Sequence, residues 1–245
     1  MRILLFVSMM VSILLANDIK VAVAANVSYA IDDLKKEFLA THPQSHIDII
    51  VASTGKLTTQ ILHNAPFDIL LGANVAYPQK VYDNHYAISK PIVYAKGALI
   101  YLSTQDLNLS NPIALLKSDK ISKIAIANPK TAPYGTAAFQ ALQNAKVLDI
   151  IKHKFIYGES ISSTLTYTLR GADIGLVAKS SIYSPKLKIQ KLVYKDVDKS
   201  LYTPISQAML LLKNAQNNQD AKAFFEFLQT SKAKEIFQKY GYITP

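Results

Sequence analysis

The stretch Ile19-Lys-Val-Ala-Val-Ala-Ala-Asn26 is a short apolar run interrupted once, at Lys20, and closed by an amide side chain. Its length and its termination at Asn predict a buried strand over residues 19–24. The period then changes. Residues 28–39 read as a helix with Ile31, Leu34 and Phe38 on one face. The pairing of strand and helix recurs: 46–51 reads as strand, 57–63 as helix and 67–71 as strand. Past Pro91 a second series follows, with strands over 98–102, 123–127 and 174–177 and helices over 136–145 and 161–169. Residues 208–212 read as one more buried strand, before two amphipathic helices over 219–229 and 231–240. Short apolar runs alternating with amphipathic stretches are the sequence form of βαβ units around a largely parallel sheet.

Two such series without a flexible linker predict two lobes, 17–95 with 205–245 and 96–204, with a cleft between them. In open α/β sheets ligands bind beyond the carboxyl ends of the strands, so the strand-to-helix turns are where function is sought.

Composition narrows the function classes. Of 245 residues, 50% are apolar and 18% charged, which excludes disorder. The absence of Cys excludes disulfides, thiolate metal sites and Cys nucleophiles. The formal charge of +10 raises nucleic acid as a partner, but with Arg at positions 2 and 170 alone the forks that read bases and phosphates are missing. The densest basic stretch, 179–199, is interrupted by Asp196 and Asp198 and reads as a solvated face.

Arg2 followed by an apolar run over 3–15 and closed by Ala16 has the pattern of a secretory signal peptide over residues 1–16. The run is shorter than the roughly 18 to 20 residues a membrane-spanning helix needs, which favours cleavage over anchoring. With no Cys at the cut there is no lipid anchor, so the mature chain is expected free in the periplasm or outside the cell.

Four turns place small or hydroxylated residues where a helix begins: Ala25-Asn26-Val27-Ser28, Ala52-Ser53-Thr54-Gly55-Lys56, Pro133-Tyr134-Gly135-Thr136 and Gly158-Glu159-Ser160-Ile161. Helix starts expose unpaired N–H groups and a positive dipole end, and so can hold an anion without a cationic side chain. Asn26, Ser53 and Thr54 add side-chain donors, and Tyr134 a backbone N–H, a phenol or both. Plain helix capping by the same residues is the alternative.

Taken together, Ile19 to Asn26, Ala52-Ser-Thr-Gly-Lys-Leu57, Phe67-Asp-Ile-Leu-Leu-Gly-Ala73, the loop from Asn128-Pro129 to Tyr134-Gly135 and the ending Ala233-Lys-Glu-Ile-Phe-Gln-Lys-Tyr-Gly-Tyr242 resemble the molybdate-binding proteins of bacterial ABC importers. The resemblance runs in order over nearly the whole mature chain. It implies a type II periplasmic-binding-protein fold, each lobe a mixed, mostly parallel sheet flanked by helices. It further implies a monomer without cofactor that closes on molybdate or tungstate and delivers it to a membrane permease. Carried over by position, the ligand set falls on Asn26, Thr54 with Ser53 adjacent, Tyr134 and the backbone of Ile161, all contacting oxyanion oxygens rather than the metal. Some members place a ligand tyrosine after the strand that here ends at Ala178; Tyr134 is expected to supply the phenol instead.

Molybdate is a dianion without a proton at neutral pH and only accepts hydrogen bonds, so a pocket of neutral donors suits it. With no Asp or Glu among the proposed ligands, the proton of hydrogen phosphate would stay unpaired, at a cost of about 1 to 3 kcal/mol. Glu159 is expected to face solvent or cap its helix. A binder of sulfate, thiosulfate or phosphate is the nearest rival, and an enzyme on the same bilobal architecture a further one. Against the enzyme stands the lack of a recognisable nucleophile, base and orienter. His42 and His46 stand four apart, but Pro43 breaks any helix between them and no carboxylate in the sequence pattern completes a metal site. The acidic pair Asp32-Asp33 reads as support for a helix dipole.

Overall fold

The computed structural model describes residues 18–184, 187 and 191–245. The signal peptide expected over 1–16 lies outside the described residues, as does part of the basic stretch 179–199.

The first sheet has strand order β2-β1-β3-β10-β4, built from β1 (Ile19–Ala24), β2 (Ile47–Ala52), β3 (Ile69–Leu71), β4 (Ile92–Gly97) and β10 (Ile205–Leu211). The second sheet, order β7-β6-β8-β5-β9, uses β5 (Leu99–Ser103), β6 (Ile124–Ala127), β7 (Phe155–Gly158), β8 (Ile174–Ala178) and β9 (Val193–Asp196). In each sheet three neighbouring strands run parallel and two join antiparallel. Both sheets are mixed, as expected for the two-lobed α/β fold. The chain passes from one to the other at Ala98 and returns between β9 and β10.

Each sheet has its own apolar core. Around the first, α1 (Ile31–Thr41) buries Ile31, Leu34 and Phe38, the face its spacing predicts. Phe224 of α8 (Gln219–Phe227) and Phe237 of α9 (Ser231–Lys239) join them. Asp33, early in α1, pairs with Lys239 at 2.6 Å, and this bond holds its carboxyl below the usual range. On the opposite face, Leu57 and Ile61 of α2 (Thr54–Leu62) pack with Val81 of α3 (Ala76–Asp83). The second sheet is covered by α5 (Pro133–Asn144) and α7 (Ile161–Arg170), with α4 (Pro112–Lys117) and α6 (Leu148–Ile151) completing its core.

Several boundaries differ from the periodicity. α1 starts at Ile31 instead of residue 28, because a short 3-10 turn over Ala25–Val27 comes first. α2 begins at Thr54, three residues before its first apolar contact, and α5 at Pro133, where proline suits the first helical position. Both shifts bring the turns singled out by sequence into the first turn of a helix.

Candidate functional site

The parallel register of the first sheet pairs Ala24 with Ala52 and Val23 with Leu71. Asn26, Ser53-Thr54 and Gly72-Ala73 therefore emerge side by side at one edge. In the second sheet Ala127 pairs with Gly158, so the loops leading into α5 and α7 also leave a common edge. The two edges face one another. Gly55 N–H donates to the Thr131 carbonyl at 2.9 Å, and Ser162 Oγ donates to the Ala25 carbonyl at 3.1 Å. Ser180 Oγ donates to the Asn26 carbonyl at 2.9 Å. Tyr77, on α3, donates its hydroxyl to the Lys130 carbonyl at 2.8 Å. All four turns singled out by sequence meet at this junction, and Asn26, Ser53, Thr54, Tyr134 and Ile161 are each no more than 4% exposed.

The two serines at helix starts behave differently. Ser160 precedes α7 and caps it: its hydroxyl accepts from the Ser163 N–H, and Ser163 Oγ accepts from the Ser160 N–H at 2.8 Å. Ser53 holds the same position before α2 yet makes no cap bond, and its buried Oγ has no hydrogen-bond partner among the described residues. Capping accounts for Ser160 and not for Ser53.

Counting hydrogens extends the contrast. Thr54 Oγ1 accepts from the Ala73 N–H at 3.0 Å, and the Tyr134 hydroxyl accepts from Gln207 Nε2 at 3.3 Å. Each hydroxyl thus has its own hydrogen left over, with no acceptor among the described residues. Burial pushes the Tyr134 phenol well above its ordinary range, and the neighbouring phenols of Tyr242, Tyr94 and Tyr202 add to the shift. It therefore stays a neutral donor. The first-turn N–H groups of Thr54, Tyr134 and Ile161 have no intrahelical acceptor, as at any helix start.

Asn26 differs from the expectation of a side-chain donor. Its Nδ2 donates inward, to Gln207 Oε1 at 2.8 Å and to the Tyr242 hydroxyl at 3.0 Å, because that phenol spends its hydrogen on the Asn26 carbonyl at 2.7 Å. The buried Oδ1 has no partner among the described residues. An oxygen acceptor cannot pair with a deprotonated anion, so what Asn26 can offer such a ligand is its main chain.

No lysine or arginine is buried among the described residues, and the buried carboxylate Asp68 accepts from the Lys20 N–H at 2.8 Å, away from the junction. Glu159 is exposed and pairs with Lys56 at 3.0 Å on the rim. Sequence reading missed Gln207, buried at the centre of the polar network. It also missed that Asp18, His46 and Asp48 lie together on the exposed ends of β1 and β2. The strand pairing that aligns Ile19 with Ile47 brings them together.

Two mixed sheets, linked by two chain crossings and closed over a junction of helix starts, define a two-lobed binding protein. The chain matches the bacterial extracellular solute-binding proteins over residues 19–243 and belongs to that family. It is similar to the molybdate-binding protein ModA of Rhodobacter capsulatus, with 34% identity over 94% of this chain and 89% of that one. It is also similar to ModA of Azotobacter vinelandii, with 32% identity over 93% and 90%. The solved periplasmic molybdate-binding protein of A. vinelandii superposes with a TM-score of 0.86 at 27% identity, covering 93% of this chain and 99% of that chain.

Proposed function

We propose that this protein is the extracytoplasmic capture component of an ABC importer, holding molybdate or tungstate between its two lobes and handing it to a membrane permease. The observation that carries the reading is the Ser53 hydroxyl, buried before α2 with no hydrogen-bond partner among the described residues. A buried hydroxyl without a partner costs about 1 to 3 kcal/mol, a cost that a bound oxyanion removes. The hydrogens of Thr54 and Tyr134, and the first-turn N–H groups of Thr54, Tyr134 and Ile161, complete a set of neutral donors, with Asn26 contributing its main-chain N–H. The names of the relatives, molybdate-binding proteins over nearly their full length, support this choice of anion.

The chain through the end of β4 at Gly97, with 205–245, forms one lobe, and the strands from β5 to β9 with their helices form the other, a division two residues past the expected boundary at 95/96. They open and close about the crossings at Ala98 and between β9 and β10, and the donor set is complete only when both lobes meet on the anion. The chain acts as a monomer, without a cofactor and without catalysis, in the periplasm after loss of residues 1–16. A set of donors without carboxylate or ammonium favours a fully deprotonated dianion over hydrogen phosphate.

Thermal unfolding with added anions tests this directly. At about 100 times Kd, molybdate or tungstate should raise the unfolding free energy by about 2.7 kcal/mol. No shift with either, beside a clear shift with sulfate, would reassign the ligand. No shift with any oxyanion would remove the reading.

A further inference from the structure

Gln207 lies on β10 where its pairing with β4 slips, between Gln207 and Ala208. Bulges of this kind re-aim a side chain and recur next to functional sites. Its carboxamide is fully buried and touches three side chains. Oε1 accepts from Asn26 Nδ2 at 2.8 Å and lies 3.0 Å from the Tyr94 hydroxyl, whose one hydrogen it shares with the Gly72 carbonyl at 3.0 Å, while Nε2 donates to the Tyr134 hydroxyl at 3.3 Å. Asn26 follows a strand of the first sheet and Tyr134 opens a helix over the second, so one planar group ties the two sides of the junction together.

The direction of these bonds matters. A phenol has one hydrogen to give and lone pairs with which to accept. Because Nε2 donates to it, the Tyr134 hydroxyl is held as an acceptor from Gln207 and keeps its hydrogen for another group. A carboxylate of the same shape would take that hydrogen instead. The space for this contact depends on Gly97, paired with Ile205 at the end of β4. A Cβ there would overlap the Tyr134 hydroxyl and lie 2.6 Å from Gln207 Nε2.

We propose that Gln207 is a positioning residue of the anion site: it orients the Tyr134 hydroxyl as a donor to the bound oxyanion and couples it, across the closed junction, to Asn26. The inference rests on the oxyanion reading above and deepens it.

A double-mutant cycle tests it. Gln207→Met keeps the length and removes both polar ends, and it is compared in the wild-type and Tyr134→Phe backgrounds by calorimetry with sodium molybdate and sodium sulfate. Gln207→Met should weaken binding about tenfold in the wild type, the worth of one hydrogen bond to a charged group, and less than about threefold once the hydroxyl it positions is gone. Gln207→Glu should lose more, about a hundredfold, since it both accepts the Tyr134 hydrogen and brings a carboxylate to an anion site. Equal losses from Gln207→Met in both backgrounds would overturn the proposal and leave Gln207 as core structure. If the wild type binds sulfate and not molybdate, the ligand reading falls and the cycle is read with sulfate. If it binds neither, both fall. A second measurement needs no change at position 207. In the isotope-labelled full chain, the Gln207 side-chain amide resonances should move on adding molybdate and lose that response in Tyr134→Phe. Resonances that ignore the anion in the wild type would equally overturn the assignment.

Discussion

Ser53 and Ser160 occupy the same place in two helices, one on each side of the junction, and the fold uses them differently. Ser160 closes a reciprocal cap with Ser163, and both hydroxyls are engaged within α7. Ser53 leaves α2 uncapped, and the N–H of Gly55 is satisfied from the other side of the junction by the Thr131 carbonyl. The contrast teaches that a residue type at a helix start does not define its role. What separates the two hydroxyls is whether the local backbone has already claimed them.

Three sets of substitutions sharpen or break that contrast. The largest effect is expected from Thr54→Ala. It removes the hydroxyl that accepts from the buried Ala73 N–H, at a cost of about 1 to 3 kcal/mol in unfolding free energy. It also removes a proposed donor to the anion, so molybdate affinity should fall at least tenfold, by roughly the worth of one charge-assisted hydrogen bond. Chemical denaturation and calorimetry on the same preparation read both losses; a fall in stability alone would make Thr54 a purely structural residue.

Next in size is the matched pair Ser53→Ala and Ser160→Ala. The first should weaken anion binding by about tenfold or more while the empty chain keeps its stability or gains up to about 1 to 3 kcal/mol, because no internal bond is lost and an unpaired buried hydroxyl is removed. The second should do the reverse, costing about 1 kcal/mol of stability through the lost cap and leaving affinity nearly unchanged. If both variants lose only stability, the distinction between the two helix starts has no functional content.

The smallest effect concerns the rim. Lys56 and Glu159 form an exposed pair across the junction, with 52% and 69% of their side chains accessible, and such pairs contribute from nothing to about 1 kcal/mol. Glu159→Gln should change molybdate affinity less than threefold, as the exposed carboxylate is paired with Lys56 on the rim. A larger change in molybdate affinity would place Glu159 inside the site.

Much of this architecture is legible in the chain. The run from Ile19 to Asn26 predicts the strand at its observed limits, and Ile31, Leu34 and Phe38 pack as their spacing requires, since strand and helix periods are local properties. The first turn of α2 was not legible as helix. Thr54, Gly55 and Lys56 lack apolar side chains, and what holds that turn comes partly from Thr131, 76 positions away by number. β4, β7 and β9 were likewise not singled out as strands. β9 is partly exposed at a sheet edge and carries little alternation to read. The candidate residues of the four turns could be named because helix starts have a chemistry of their own. Gln207 could not, because its meaning depends on β10 inserting between β3 and β4 and bringing it beside Asn26, 181 residues distant. The same network engages the Asn26 amide with Gln207 and Tyr242, a use invisible without the tertiary pairing.

The central claim is that neutral hydroxyls and backbone N–H groups, without fixed charge, enclose the anion. A crystal structure of the closed chain grown with tungstate, whose scattering locates the metal without ambiguity, tests it most directly. The account predicts oxyanion oxygens at hydrogen-bond distance from the hydroxyls of Ser53, Thr54 and Tyr134 and from the N–H groups at Asn26 and Ile161. A lysine ammonium or a carboxylate directed at the anion, or density for tungsten anywhere other than this junction, would contradict it.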